Sequence, residues 1–242
     1  LDRNYLGSLD IDAAYVSADV EIMPLLRAAI GVRYEDASQV VDTFVRYTDV
    51  GAPTTVLENS YWLPAATLTW NFADDLQMRM GYSQTIARPQ FRELAFTPYI
   101  DPDTDREFIG NPYLTDSELK NYDARVEYYF GTNQFVTLGL FYKQIDRPIE
   151  EVVVTQDGTS TQTRFINAPE ATLYGAEFDY RINFDAPFEV PFLTAPELFF
   201  GANYTYTHSE VSAQGTVLSP NSPETPNARP ATEFVADGSQ LQ

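Results

Sequence analysis

Apolar and polar residues alternate along four long stretches of this chain. Across residues 122–130, Tyr122, Ala124, Val126, Tyr128 and Phe130 share one face, and Asp123, Arg125, Glu127 and Tyr129 share the other. After a turn at Gly131, Thr132, Asn133 and Gln134 the alternation resumes, with Val136, Leu138, Leu140 and Tyr142 set against Thr137, Gly139 and Lys143. Side chains on a strand point alternately to its two faces, so this pattern predicts a β-hairpin with one apolar and one polar face. The same rhythm predicts an earlier hairpin, with Ala14, Val16, Ala18, Val20 and Ile22, a turn at Met23-Pro24, then Leu26, Ala28, Ile30, Val32 and Tyr34. Another covers residues 61–85, turning at Ala73, Asp74 and Asp75. Pro64 lies within it and has no N–H to give a ladder, so it is expected at the upper end of its strand or at a bulge. A fourth pair is predicted over residues 172–184 and 198–208.

The connections between pairs differ in length. Residues 36–60, 87–119 and 146–171 are polar and read as long loops. The first is expected to hold a short pairing around residues 44–47. The third is expected to hold a small hairpin, 151–156 with 162–166, about Asp157-Gly158. Loops that are long on one side of a sheet and short on the other mark outer-membrane barrels. Aromatics on the apolar faces agree: Trp70, Phe72, Phe130 and Phe184 lie near the tight turns, and Tyr34, Tyr82, Tyr122, Tyr142, Tyr174 and Tyr206 near the long loops. Two such belts flanking aliphatic residues suit the two interfaces of a bilayer. Arg27, Arg33, Arg79, Arg125, Glu127, Glu177, Asp179 and Arg181 fall on the opposite face, as a wet lumen would require. The fold class is thus all-β, an antiparallel transmembrane β-barrel. Residues 1–208 supply about eight strands of a larger barrel, and residues 209–242 read as a further outer loop without strand pattern. With long loops outside, both chain ends fall on the outer side, which predicts an internal slice of a longer wall.

Composition narrows the partners. The 242 residues carry a formal net charge of -20 and no cysteine. The acidic balance argues against nucleic acid, which needs clustered Lys and Arg, and the missing cysteines exclude disulfides and thiolate metal sites. No stretch approaches the roughly 18 apolar residues of a membrane helix, which does not bear on a barrel. A soluble β-rich binding or adhesion domain, a passive porin and a barrel-borne enzyme are the competing readings.

The runs LQMRMGYSQTIARPQFREL (76–94), GNPYLTDSELKNYDARVEYYF (110–130), VTLGLFYKQIDRPIE (136–150) and INAPEATLYGAEFDY (166–180) together resemble the barrel portion of TonB-dependent outer-membrane receptors. The shared features are Ser-x-x-x-x-Arg-Pro at Ser83 to Pro89, Gly-Asn-Pro-x-Leu at Gly110 to Leu114, Asn-Tyr-Asp at Asn121 to Asp123, and Gly-x-Glu at Gly175 to Glu177. The resemblance implies a barrel of about 22 strands with a plugged lumen and residence in the cell outer membrane. It also implies active uptake of a scarce ligand of the siderophore, cobalamin, haem or oligosaccharide class, with no enzymatic role. The implied partners are the energy-coupling protein TonB, acting through a plug domain that this stretch lacks, together with membrane lipid, lipopolysaccharide and the small-molecule or oligosaccharide ligand.

Candidate chemistry concentrates in residues 87–119. Arg88, Phe91, Arg92, Tyr99, Arg106 and Tyr113 interleave cations with aromatics. That mixture suits ligand capture by stacking and charge, or alternatively packing between loops and contact with lipopolysaccharide phosphates. Asp101, Asp103 and Asp105 alternate as in Ca²⁺ loops, although the turn glycine and the closing bidentate Glu are missing. A solvated acidic loop is the plainer reading, and no other cofactor is expected. His208 is the only histidine and is expected at a strand's upper end on the belt side.

Overall fold

The computed structural model describes residues 3–45, 54–103, 105–156, 160–185, 197–218 and 227–241. In chain order the elements begin with β1 (Arg3–Met23), β2 (Leu26–Val45), β3 (Thr54–Ala73) and β4 (Leu76–Ala87). A one-turn helix α1 (Phe91–Leu94) and two short strands, β5 (Pro98–Ile100) and β6 (Glu107–Ile109), follow. Then come β7 (Ser117–Gly131), β8 (Gln134–Asp146), β9 (Ile149–Gln156), β10 (Ser160–Asn167), β11 (Glu170–Asp185) and β12 (Glu197–Ser212). A last small pair, β13 (Thr216–Leu218) and β14 (Ala228–Pro230), precedes a 3₁₀ turn at Ala231–Glu233.

Eight strands form one open sheet in the order β1-β2-β3-β4-β7-β8-β11-β12, every neighbouring pair antiparallel. The register is the one the alternation predicts: Tyr122 lies opposite Tyr142, Ala124 opposite Leu140, and Val126 opposite Leu138. A slip of one residue would exchange the faces entirely. The turns at Thr132-Asn133 and Pro24-Leu25 are closed by Asn133 and Leu25 in the left-handed region, at φ 57° and 72°.

On the outer face the pairing gathers the upper aromatics into a girdle. Tyr34 meets Trp62 at 4.9 Å between ring centroids, Tyr82 meets Tyr122 at 5.1 Å, and Tyr122 meets Tyr142 at 6.1 Å. Tyr142 is paired across strands with Tyr174, whose ring lies 5.1 Å from His208. Trp62 joins a belt that the alternation alone left without it. A lower row runs through Trp70–Phe72, Phe130–Tyr180 and Tyr180–Phe200 at 5.3, 6.3 and 6.3 Å. From Tyr122 in the upper row to Phe130 in the lower is one membrane crossing, which takes about 9–11 tilted residues. Val20, Ile30, Leu138 and Leu140 are exposed between the rows, as a lipid-facing band requires.

Two segments predicted as loops, 36–60 and 209–242, contain strand. Residues 36–45 and 54–60 continue β2 and β3, paired from Asp36↔Ser60 to Asp42↔Thr54. Of the predicted loop 36–60, residues 46–53 lie outside the described residues, and with them half of the pairing expected around 44–47. β1 extends the same way, starting at Arg3 rather than near residue 13. Residues 209–242 also contain strand: β12 runs on to Ser212, and β13 pairs with β14. The physical cause is an inversion of face chemistry. Above Tyr34 the outward positions become mostly polar, Asp36, Ser38 and Asp42 with Val40 among them, while the inward positions Ala37, Gln39 and Val41 are buried. The strand continues, but its apolar stripe changes sides.

Pro64 is neither at a strand end nor at a bulge. It pairs with Val32 of β2, and the β3–β4 ladder stops at Ala65↔Ser83, one residue below it. The missing N–H falls where β3 parts from β4. The small hairpin appears as β9 and β10, paired from Ile149↔Asn167 to Gln156↔Ser160; the turn predicted at Asp157-Gly158 lies outside the described residues.

Candidate functional site

The connection 87–119 and the β9–β10 hairpin fold together over the inner side of the sheet's upper end. β5, β6, β10 and β9 form a four-stranded sheet, β6 running parallel to β10 through Thr163↔Phe108 and Arg164↔Ile109. Its core joins Leu94, Ala95, Phe108, Leu114 and Phe165 to Val41 of β2, with Leu57 and Phe91 packed at the margin. A second core joins Ile145, Val152, Ile166 and Ala171 to Val211, Val217, Ala231 and Val235, drawing the C-terminal segment into the same body. The long loops are therefore a folded cap on the wall.

The family-like motifs are the staples of this cap. In the Arg-Pro motif, Arg88 Nη2 donates to Glu35 Oε1 at 2.5 Å, and Arg33 Nε donates to Glu35 Oε2 at 2.9 Å. The Glu35 side chain is only 8% exposed, which makes these charge-assisted bonds matter. The carbonyl of Pro89 accepts from Gln39 Nε2 at 2.9 Å. In Gly-Asn-Pro-x-Leu, a Cβ on Gly110 would lie 2.3 Å from the Ala95 carbonyl oxygen, so only glycine allows the approach. Asn111 donates its backbone N–H to the Glu93 carbonyl (2.6 Å) and Nδ2 to the Phe165 carbonyl (2.8 Å), and Leu114 is fully buried. Tyr61 and Asn59 of β3 donate to Asp116 Oδ2 at 3.0 and 3.2 Å. In Asn-Tyr-Asp, Asn121 Nδ2 reaches the Ser83 carbonyl at 3.3 Å and bridges β7 to β4.

The candidate ligand residues are spread through this architecture. Arg88 serves the Glu35 clamp. Phe91 lies over Gly7 of β1, where a Cβ would come within 2.6 Å of its ring. Tyr99 stacks on Phe108 with centroids 5.2 Å apart, and burial raises its phenol's pKa above the usual value. Arg106 lies over the same Phe108 ring at 5.0 Å, donates to Thr163 Oγ1 at 2.8 Å and pairs with Glu151 at 3.3 Å. Tyr113 is half-buried and donates its backbone N–H to Asn111 Oδ1. Arg92 is exposed on α1. Tyr99 and Arg106 thus meet on one ring, while Arg88 and Phe91 are turned to the wall.

Asp101, Asp103 and Asp105 occupy the β5–β6 turn. The Asp103 N–H donates to Asp101 Oδ1 (2.8 Å), the Asp105 N–H to the Asp101 carbonyl (2.9 Å), and Asp105 has φ 55°. The first carboxylate thereby closes the turn. Among the described residues no three His, Cys, Asp or Glu side chains converge to hold a metal.

Sequence reasoning gave no role to Glu35, Gln39, Asn59, Tyr61, Asp116 or Phe165, and marked Asn111 only as part of its motif. The available signal was the phase change at Glu35, a charged residue followed by Ala37 and Val41 at the same parity.

The lower inner wall is also polar. Arg79 and Arg125 stand directly opposite each other. Glu127 lies 3.8 Å from each, and Glu177 lies 3.6 Å from Arg125. A depression of about 500 Å³ opens there beside Gly81 and Gly139, whose missing side chains hollow the wall.

The chain matches the family model for the β-barrel of TonB-dependent receptor-like proteins over residues 2–235. No match was found among curated proteins. Among solved structures it is similar to the siderophore receptor PirA from Pseudomonas aeruginosa (TM-score 0.51, 14% identity, 88% of this chain and 48% of that one). It is also similar to a variant of the ferric enterobactin receptor PfeA from Pseudomonas aeruginosa (0.54, 13%, 88% and 31%). A third is the Serratia marcescens hemophore receptor HasR in complex with its hemophore HasA and heme (0.55, 10%, 88% and 35%). At these identities the likeness speaks for the fold, and the chain spans a third to a half of the length of those receptors. Together with the lipid-facing band, the girdle and the polar inner face, the match over residues 2–235 places the chain in the TonB-dependent receptor β-barrel family.

Proposed function

We propose that this chain supplies part of the wall and outer cap of a receptor in the outer membrane that takes up a scarce small molecule, with passage driven by TonB through a plug inside the barrel. The carrying observation is the cap. A passive pore gains nothing from long strands that project above the girdle and carry a folded body over the lumen side, whereas a receptor needs a shaped surface at that height. The structural neighbours are receptors for siderophores and for a heme-loaded hemophore, and the same class of iron-bearing ligand is the first to try here. The polar inner wall, with Arg79, Arg125, Glu127 and Glu177, offers hydrogen-bonding partners to a plug.

The test uses the whole receptor, expressed in an outer-membrane host with and without TonB, and measures cell-associated ferric enterobactin, haem, cyanocobalamin and a maltodextrin. One probe is expected to accumulate only in TonB-competent, energised cells. Equal accumulation without TonB, or none for any probe above an empty-vector strain, overturns the reading.

A further inference from the structure

A cavity of about 500 Å³ lies between the cap and the top of the inner wall. That volume is within the range of small-molecule pockets, roughly 300–1,000 Å³. Its wall side is formed by the upper ends of β4, β7 and β8, with Leu119 and Ile145, and its cap side by α1, β9 and β10, with Ile149 and Phe165. The lining mixes apolar side chains with the polar Arg88, Gln90, Glu93, Ser117 and Glu151, and a pocket's polar groups are what fix a ligand's orientation.

The ionic groups that reach this cavity are unequal. Arg88 lines it, but its guanidinium is engaged by Glu35 at 2.5 Å. Glu151 lines it and is shared with Arg106 at 3.3 Å. Glu93 lines it too, accepts the Gln90 N–H at 2.8 Å, and makes no ion pair among the described residues. Glu93 and Glu151 thus outnumber the one lining cation, Arg88, which Glu35 already holds, with Arg92 and Arg106 beside them. Burial, with Glu151 nearby, makes Glu93 hold its proton more tightly than an ordinary glutamate, despite the opposing Gln90 N–H and Arg92. A cation brought beside it would relieve that cost.

We infer that this cavity is a binding site for the amine-bearing, partly apolar portion of a small ligand: an ammonium set against Glu93 and Glu151, with its hydrocarbon or aromatic part between Ile149, Phe165, Leu119 and Ile145. The inference deepens the uptake reading and rests on it for its biological use, because it assigns the class of ligand this part of the receptor accepts. Within the iron-bearing class it would favour a chelate that presents a basic nitrogen from its periphery.

The test is equilibrium binding to the purified full-length receptor at neutral pH, using three probes of one shape: benzylamine, benzyl alcohol and benzoate. Benzylamine is expected to bind about ten-fold more tightly than benzoate, the difference expected for one buried charge interaction. Glu93→Gln keeps the bond from the Gln90 N–H and is expected to bring the two within about two-fold. Ile149→Trp fills the cavity and is expected to remove binding of all three. Equal affinity for benzoate and benzylamine, or a preference unchanged in Glu93→Gln, overturns the proposal. Because the readout is binding without transport, a receptor that lacks TonB-dependent uptake but shows this preference fails only the function above. One that transports but shows no preference fails only this inference.

Discussion

The wall below Tyr34 and its extension above are made by the same strands with opposite face chemistry. Below, the outward residues of β2 are Leu26, Ala28, Ile30 and Val32, and the inward ones are Arg27, Gly31 and Arg33. Above, the outward residues are mostly polar, Asp36, Ser38 and Asp42 with Val40 among them, and the inward Ala37, Gln39 and Val41 are buried, Val41 in the cap's core. Pairing with β3 continues unbroken through the change. The backbone ladder is indifferent to what surrounds it, whereas each face answers only to its own medium: lipid then water outside, water then cap inside. A change of medium therefore shows in sequence as a change of phase and not as the end of a strand.

The largest expected effect tests the outer face at two heights. Leu138 is 53% exposed and stands between Val126 and Phe178 in the apolar band. Leu138→Arg should cost about 2–4 kcal/mol in lipid, the penalty for Arg near a bilayer's midplane. Ser60→Arg, on the same outward face but beside Asp36 above the girdle, should stay within about 0.5 kcal/mol of the parent. Equilibrium unfolding of the full-length receptor in lipid vesicles measures both. Equal penalties would mean that the girdle does not mark the membrane's edge.

This comparison also explains which parts could be read from sequence. All four hairpins, three of the tight turns to within a residue and the cross-strand register were legible, because alternation against lipid is locally written: Ala124 faces Leu140 as the pattern requires. The upper strands were not, since period-2 reading follows one apolar stripe and the stripe switches at Glu35. The cap's motifs were recognisable as strings, but the residues that receive them lie far along the chain. Arg88 finds Glu35 and Asn111 finds Phe165 across separations of 53 and 54 residues. Nothing local to Arg88 distinguishes a clamp from a ligand contact. That is why Arg88 and Phe91 could be read as either capture or packing residues, and why only the structure shows Arg88 paired with Glu35 and Phe91 lying over Gly7.

A smaller difference is expected between ion pairs in the two regions. Glu35 is 8% exposed and accepts from both Arg88 and Arg33, whereas Arg125 and Glu177 on the open inner wall are each about 44% and 43% exposed and stand 3.6 Å apart. Removing Glu35 as Glu35→Ala should cost about 1.5–3 kcal/mol, the range for hydrogen bonds to charged groups, since it leaves the half-buried Arg88 without its carboxylate. Glu177→Ala should cost at most about 1 kcal/mol. The local signature matters more than the total. In Glu35→Ala the cap should become sensitive to protease near residues 95–107 at denaturant concentrations where the barrel remains heat-modifiable on gels. Loss of both together would mean that wall and cap unfold as one unit.

The smallest effect concerns the half-buried acid of α1. Burial raises the Glu93 pKa above its ordinary value, Glu151 adds to the rise, and the Gln90 N–H and Arg92 oppose it. A carboxyl whose folded pKa exceeds its unfolded one opposes folding while it is ionised. The penalty is present in full above the folded pKa and disappears as pH falls to the unfolded value. Acidification from neutral pH toward the ordinary carboxylate range should therefore favour the cap of the parent over that of Glu93→Gln, which cannot titrate. Plotting the difference in cap stability between the two proteins against pH cancels the titration of every other group they share, to first order. A curve rising toward acid pH places Glu93 in a drier setting than the unfolded chain offers. A flat curve would show it to be as wet as the acids of the open wall below, and would erase the contrast in medium at that point of the inner face.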